Sequence, residues 1–264
     1  MSDVLFKRDS PHAEQIIDLF ERKALLQRNG RIFVPCGKTA TPLALADPHR
    51  HEKGMHEERI LQQPACMREG ADFLARREPR FAHALALCGP PPLRRRGDGF
   101  AALMQAIVSQ QVSTAAARAI TDRMEAAGLT SPHAIASADE AALRAVGLSR
   151  QKMRYLRSLA AADLDFRALR AAPSAEVVTV LTALPGIGRW TAEIYAMFSL
   201  GRADVFAPAD LALQESARLL FDLPERPREA ALRRMAEAWA PWRTVAAGML
   251  WAYYHHAKNR EGIG

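Results

Sequence analysis

Apolar residues recur at helical spacing through most of the chain beyond residue 63. In residues 100–125 this recurrence runs from Leu103 through Ile107 to Ile120 and predicts one long helix. Alternation with a period of two does not recur, and glycine and proline separate the helical segments, so this body is predicted to be all-α. The same spacing predicts further helices at residues 67–76, 80–87, 138–145, 150–162, 174–184, 189–199, 211–221, 228–239 and 242–259.

The front of the chain lacks this sustained pattern. We therefore expect two parts that divide near Gln62-Gln63-Pro64: an irregular, partly disordered extension over residues 1–63 and a helical domain over residues 64–264. Within the extension, residues 11–27 are predicted to form an amphipathic helix and residues 31–34 a short strand. His49, His51 and His56 have no second pair of ligands near them, so a solvated polar stretch is favoured over a metal site.

Composition and charge narrow the class of protein. The 264 residues are 49% hydrophobic and 25% charged, which is typical of a soluble globular protein and excludes a fibrous chain. No apolar run is long enough to cross a bilayer, and the three cysteines, Cys36, Cys66 and Cys88, exclude a disulfide framework and a four-cysteine iron–sulfur cluster. We expect a cytoplasmic protein, nucleoid-associated if bacterial, because the net charge of +7 is compatible with a nucleic-acid partner.

The most informative stretch is Leu184 to Ala192, which reads L-P-G-I-G-R-W-T-A between two predicted helices. Gly186 and Gly188 bracket Ile187, and glycine can take positive φ and has no side chain. Such a turn can present backbone N–H groups at the start of the next helix, where an anion such as a DNA phosphate would bind. A plain tight connection between two helices is the alternative interpretation.

Three further stretches agree with one family. They are F-A-A-L-M-Q-A-I-V-S-Q-Q-V-S at 100–113, V-F-A-P-A-D-L-A-L at 205–213 and W-A-P-W-R at 239–243. With the glycine-containing turn, they resemble the helix-hairpin-helix DNA glycosylase superfamily, and within it the DNA-3-methyladenine glycosylase II branch. The resemblance covers about residues 64–258 and implies a two-lobed all-α body with its cleft between the lobes. The front segment does not resemble the β-rich amino-terminal domain of some members, and many relatives have the loop proline one place earlier.

The resemblance implies that Asp210 is the catalytic residue. Cleavage of the bond between base and deoxyribose develops positive charge on the sugar, which a carboxylate stabilises. An aspartate just before an apolar run is also a common N-cap, and the two roles are compatible.

The same resemblance implies that Trp190 and Trp251 form walls of the base pocket. An aromatic face attracts a cationic alkylated base, although core packing is the alternative for each indole. Relatives that also cut the DNA backbone carry a Schiff-base lysine at the position of Trp190. A tryptophan there predicts a monofunctional enzyme without AP lyase activity.

Contacts with DNA are implied for two segments. Gln111 is expected to fill the gap left by an extruded base, and residues 109–113 lie either inside the long helix or at a break in it. Polar residues that satisfy one another between helices are the alternative there. The implied DNA-binding residues are Gln110, Gln111, Pro185, Gly186, Ile187, Gly188, Arg189 and Thr191.

No cofactor and no metal bound by side chains is expected. The family sometimes holds an alkali-metal ion, Na⁺ or K⁺, through hairpin carbonyls, which in this chain would be those of Thr182, Leu184 and Ile187.

The expected function is hydrolysis of the N-glycosidic bond of alkylated purines, chiefly 3-methyladenine, in duplex DNA during base excision repair. The protein would act as a monomer, away from membranes. The alternatives are the same fold acting on deaminated or oxidised bases, and a non-catalytic helix-hairpin-helix DNA-binding protein. Asp210 and the aromatic pocket argue for an enzyme.

Overall fold

The computed structural model describes residues 58–261, and their side chains as far as Lys258. The described residues belong to one compact unit that begins at Glu58. The helix predicted at 11–27, the strand at 31–34 and the histidine group of His49, His51 and His56 all lie outside the described residues. The division predicted between residues 63 and 64 stays a prediction.

The described part of the chain is helical, which confirms the all-α prediction. Its one strand-like pairing is an isolated antiparallel bridge between Ile60 and Arg202. The helices are α1 (Pro64–Arg77), α2 (Pro79–Cys88), α3 (Phe100–Val108), α4 (Thr114–Ala126), α5 (Pro132–Ser137), α6 (Glu140–Ala145), α7 (Arg150–Ala161), α8 (Phe166–Ala171), α9 (Ser174–Thr182), α10 (Arg189–Phe198), α11 (Leu211–Leu220), α12 (Glu229–Glu237) and α13 (Arg243–Glu261).

Of the two alternatives for residues 109–113, the break in the helix is confirmed and one continuous helix over 100–125 is wrong. Helix α3 ends at Val108 and α4 begins at Thr114, because Gln111 adopts a φ of +55° and Ser113 caps the new helix by accepting the amide of Ala116 at 3.2 Å. Helices α5 and α8 were not predicted. Each has six residues, less than two helical turns, so its periodic signal is weak.

The helices fall into two groups. In the first, α7 packs against α3, α5 and α6, and α4 packs against α3. In the second, α13 packs against α1, α2 and α11. The second group has an aromatic core in which Trp239 contacts the rings of Phe81, Phe206 and Phe221 at centroid distances of 5.3–5.8 Å. Burial of side chains of this size stabilises the fold by about 1.5–3 kcal/mol each.

Helix α10 connects the two groups. It pairs with α9 and contacts α3, while Phe198 at its end packs against Trp251 of α13 with a centroid distance of 5.7 Å. The carbonyl of Ser199, just after α10, accepts a hydrogen bond from the Arg95 guanidinium at 3.0 Å. The position of α10 is thus fixed from both sides.

The residues before α1 are also part of this body. Leu61 is 2% exposed and its amide donates to the carbonyl of Gly201 at 2.7 Å. Glu58 accepts the amide of Ser174 at 2.9 Å and pairs with the buried guanidinium of Arg202 at 3.3 Å. The helical domain therefore takes contacts from residues on the amino-terminal side of Pro64.

Candidate active site

Asp210 stands at the start of α11 and caps it. Its Oδ1 accepts the backbone amides of Ala212 and Leu213 at 3.0 Å each. The loop before it is held from within, because the Gln214 side chain donates to the carbonyl of Pro208 at 2.8 Å. The capping interpretation of Asp210 is therefore confirmed, and the cap fixes the orientation of the carboxylate.

Two indole N–H groups point at this carboxylate. Trp190, in the first turn of α10, donates to Oδ2 at 3.2 Å, and Trp251 of α13 donates to Oδ1 at 3.2 Å. Three residues that are distant in sequence thus meet at one point. Since a carboxylate offers about four lone-pair positions, Oδ2 keeps capacity for a further partner while Oδ1 already has three donors.

The surroundings of the carboxylate are apolar and partly open. Asp210 is half-buried, Trp190 is 44% exposed and Leu211 is 62% exposed. Large exposed apolar side chains are uncommon on a surface with no partner when they stand together. A negative charge bordered by apolar side chains is poorly solvated and acts more strongly on a nearby positive charge.

A cavity of about 40 Å³ lies beside Trp251. Phe198 and Met197 of α10 form part of its wall, and Arg94 is its one charged lining residue. The indole of Trp251 therefore borders a mainly apolar space as well as donating to Asp210. Its lining residues are Leu61, Met67, Pro91, Pro92, Leu93, Arg94, Met197, Phe198, Thr244, Gly248, Trp251 and Ala252.

The turn between α9 and α10, residues 183–188 (the hairpin turn), uses its two glycines differently. Gly186 has a φ of +88°, and a Cβ on it would lie 2.4 Å from the ring of Tyr155, so the fold itself requires glycine there. Gly188 has a φ of −79° and open space where a Cβ would stand. No side chain caps α10, so the amides of its first turn have no side-chain acceptor.

Of the other predicted hairpin residues, some have buried side chains and some have exposed ones. Ile187 and Thr191 are buried at 3% and 9% exposure, so their side chains pack inside and only their backbone could reach DNA. Arg189 is exposed, and its Nε donates to Oε1 of the buried Glu193 at 3.0 Å. Oε1 of Glu193 also accepts a hydrogen bond from Nη2 of Arg233 at 2.9 Å.

Residues 109–113, which we call the plug loop, lie beside the hairpin turn. The Gln110 side chain donates to the carbonyl of Gly186 at 2.8 Å. Gln111 is exposed at the point where the chain turns with positive φ. The structure thus places the candidate plug residue and the hairpin turn together.

No group of side chains suited to a metal ion occurs among residues 58–258. Cys66 and Cys88 are both free thiols. Within the same part of the chain, none of the helices is both long and apolar enough to span a membrane.

Three residues that shape the site were missed in the sequence. Tyr155 packs on Gly186, Gln214 holds the loop before Asp210, and Lys152 donates to the carbonyl of Val108 at 2.6 Å. A signal existed for Lys152, because helical spacing puts it on the same stripe of α7 as the buried Leu156 and Leu159. The other two depend on contacts between elements that no local pattern encodes.

The comparisons with known proteins agree with this architecture. Residues 104–241 match the family described as HhH-GPD superfamily base excision DNA repair protein. The chain belongs to this family. The resemblance to helix-hairpin-helix DNA glycosylases, and to their alkylbase branch, is confirmed.

Two curated relatives carry related names. DNA-3-methyladenine glycosylase 1 of Schizosaccharomyces pombe is 34% identical over 158 residues, which is 56% of this chain and 69% of that protein. DNA-3-methyladenine glycosylase 2 of Escherichia coli is 33% identical over 177 residues, which is 61% of this chain and 60% of that protein.

Two solved structures share the fold. The crystal structure of a DNA-3-methyladenine glycosidase from Bacillus halodurans is 34% identical with a TM-score of 0.66, and covers 72% of this chain and 91% of that chain. The Schizosaccharomyces pombe 3-methyladenine DNA glycosylase Mag1, solved in complex with abasic DNA, is 30% identical with a TM-score of 0.60, and covers 69% and 95%.

Proposed function

We propose that this protein is a monofunctional DNA glycosylase that hydrolyses the N-glycosidic bond of alkylated purines, chiefly 3-methyladenine, in duplex DNA during base excision repair. The observation that carries the proposal is the Asp210 carboxylate, capped by two amides and held by the indoles of Trp190 and Trp251. The names of relatives and structural neighbours support the substrate class. One chain supplies the whole site, so a monomer suffices.

The reaction places positive charge on the deoxyribose as the base departs. The Asp210 carboxylate stabilises this charge electrostatically, and its fixed orientation means that no reorganisation is needed at the transition state. Oδ2 is the oxygen with capacity left, so it is the one proposed to face the sugar and to position the attacking water. An alkylated purine is already cationic and leaves without a dedicated general acid.

The extruded base binds against the exposed indole of Trp190 and beside Trp251. Aromatic faces attract a cation by about 0.5–2 kcal/mol, depending on how far the contact is desolvated. The apolar cavity next to Trp251 gives room for movement of that indole. These two tryptophans therefore select for charge rather than for a particular hydrogen-bonding edge.

The residues that bind DNA lie in the hairpin turn and the plug loop. A phosphate approaches the uncapped amides of α10 across the open space at Gly188, and the exposed Arg189 adds positive charge there. The proposed contacts come from Gln110, Pro185, Gly186, Gly188 and Arg189, and from the backbone of Ile187 and Thr191. Gln111 fills the gap in the stack.

An alkali-metal ion at the carbonyls of Thr182, Leu184 and Ile187 fits the donor chemistry of the hairpin turn. Carbonyl oxygens are suitable ligands for hard cations. The Leu184 carbonyl accepts the amide of Ile187 at 3.1 Å and keeps a second lone pair. Such an ion would supply positive charge beside the phosphate-binding amides.

The deciding experiment measures release of free base from methylated duplex DNA by the full chain and by Asp210→Asn. The asparagine oxygen can still accept the amides of Ala212 and Leu213, so the cap and the fold are expected to persist. Loss of the charge is expected to slow single-turnover excision at least about 10²-fold. Asp165→Asn is the matched control, because Asp165 caps α8 through the amides of Arg167 and Ala168 in the same way.

Each part of the proposal would be contradicted by a different result. Undiminished excision by Asp210→Asn would remove the catalytic role of this residue. No base release by the unmutated protein across methylated, deaminated and oxidised duplexes would favour a non-catalytic DNA-binding protein. Strand cleavage without alkali, or trapping of the protein on DNA by borohydride, would contradict the absence of AP lyase activity.

A further inference from the structure

Lys152 is a buried lysine that the proposed reaction does not use. It is 9% exposed, and its Nζ donates to the carbonyl of Val108 at 2.6 Å. Burial lowers the pKa of this ammonium group, as expected for a cation away from water. Lysine is seldom buried, because a buried charge costs free energy unless a partner compensates for it.

The partner of Lys152 is the last residue of α3. The last carbonyls of a helix receive no hydrogen bond from a helix amide, and they carry partial negative charge. A cation is therefore stabilised there. The plug loop starts at the next residue, Ser109. The bond from Lys152 therefore holds the point at which the plug loop leaves α3.

The helix that carries Lys152 also touches the hairpin turn. Tyr155 lies one turn further along α7, and its ring fills the space beside Gly186 that a Cβ would need. The Tyr155 hydroxyl accepts a hydrogen bond from the Gln151 side chain at 2.6 Å, which restricts the position of the ring. Helix α7 thus contacts the origin of the plug loop and the hairpin turn at once.

A hydrogen bond also joins the plug loop directly to the hairpin turn. The Gln110 side chain, inside the plug loop, donates to the carbonyl of Gly186 at 2.8 Å. Gln111 follows with a φ of +55°, which is uncommon for a residue other than glycine and persists only where the surroundings fix the backbone. The bond from Lys152 thus anchors Val108, and the bond to Gly186 anchors Gln110, the residue just before this turn.

We propose that Lys152 is a positioning residue for base extrusion: by holding the carbonyl of Val108 it sets where Gln111 stands relative to the hairpin turn. This rests on the proposed function, in which Gln111 replaces the extruded base. Lys152 contacts neither the base nor the sugar. Its effect reaches the reaction through the plug loop alone.

The test compares single-turnover excision from two duplexes by the full chain. Each carries one 7-methylguanine, paired with cytosine in the first and opposite thymine in the second, where extrusion costs less. Lys152→Met keeps the apolar stem and removes the bond. Its rate is expected to fall by about tenfold on the paired duplex and by less than about threefold on the mismatched one, because a misplaced plug matters most where the stack is intact.

Three further variants separate positioning from stability. Arg123→Met is the matched control, since Arg123 also donates to a carbonyl at a helix end, Val146 at 3.0 Å, without contacting the plug loop. It is expected to leave the ratio of the two rates unchanged. Gln110→Ala removes the other anchor at a half-buried position. Lys152→Gln, whose shorter side chain does not reach the carbonyl of Val108 in the same way, keeps the test decisive if Lys152→Met does not fold.

The outcomes distinguish this proposal from the function on which it rests. A selective loss on the paired duplex in Lys152→Met and Gln110→Ala supports it, with Gln111→Ala giving the size of the effect when the plug itself is removed. Equal losses on both duplexes, or the same change of ratio in Arg123→Met, overturn it. Absence of excision by the unmutated protein instead contradicts the proposed function.

Discussion

The indole N–H of Trp251 and the carboxylate of Asp210 form a hydrogen bond of 3.2 Å that joins α13 to the start of α11. The bond falls on Oδ1, which also accepts the two capping amides. Trp251 therefore helps to fix the carboxylate, whose other oxygen, Oδ2, is the one proposed to face the substrate.

Trp251→Phe is expected to slow excision about tenfold, because the carboxylate loses one of the donors that orient it. The lost hydrogen bond to a charged group contributes about 1.5–3 kcal/mol, so the thermal melting temperature is expected to fall by several degrees while the fold persists. Single-turnover excision and thermal melting check this. If Trp251→Phe is as fast as the unmutated protein, the N–H group has no part in orienting the carboxylate.

Trp190→Ala is expected to weaken the handling of cationic bases by about 1–2 kcal/mol, the size of a partly desolvated cation–π contact. Nonspecific DNA binding should hardly change, since Trp190 is bonded to Asp210 and is not among the proposed phosphate contacts. Excision of 7-methylguanine and of the neutral base hypoxanthine should be compared. Trp190→Phe keeps an aromatic face and should recover most of the loss on the cationic base. A loss of equal size on both bases would remove the cation–π contribution.

The sequence predicts most of this fold because helical periodicity is local. Leu103 and Ile107 reveal their helix through spacing alone, but spacing left open whether residues 109–113 continue it or break it. The break coincides with the positive φ of Gln111, next to the bonds from Lys152 to Val108 and from Gln110 to Gly186. Local spacing carries no information about such contacts.

The candidate site was predicted residue by residue from family motifs, but its geometry was not. The motifs indicate Asp210, Trp190 and Trp251 without their mutual hydrogen bonds. They also treat Gly186 and Gly188 alike. The distinction between these two glycines comes from Tyr155, which is far from them in sequence and adjacent in space.

Gly186→Ala and Gly188→Ala are therefore expected to fail in different ways. Gly186→Ala forces a side chain into φ +88° and onto the Tyr155 ring, so it should lower the free energy of unfolding by about 1–3 kcal/mol or more. Gly188→Ala should keep the melting temperature and weaken DNA binding, because its methyl group occupies the space left for a phosphate. Thermal melting and binding to undamaged duplex measure the two effects. Equal stability losses in both variants would contradict this division of roles.

Truncation at two internal methionines tests how much of the front of the chain the helical domain needs. A protein that begins at Met55 keeps Glu58 and Leu61, so it is expected to fold and to excise bases like the full chain. A protein that begins at Met67 loses both, together with the bond from Leu61 to Gly201.

The cost of the second truncation is large for a single domain. Lost burial of Leu61 removes about 2 kcal/mol. Loss of Glu58 leaves the guanidinium of Arg202, which is 6% exposed, without its ion-pair partner. Breaking a fully buried pair typically costs about 3–5 kcal/mol. A smaller cost is expected here, because the Glu58 side chain is 34% exposed and the guanidinium still donates to the carbonyls of Arg170 and Ala172.

Thermal melting of the two truncated proteins and the full chain, with base release as the second readout, checks this expectation. The Met67 protein should melt well below the other two or be insoluble. If it melts with them, the contacts of residues 58–63 add nothing to the domain. If the Met55 protein is itself insoluble or inactive while the full chain works, residues before Met55 are an integral part of the fold, and the interpretation of the front segment as an appendage is wrong.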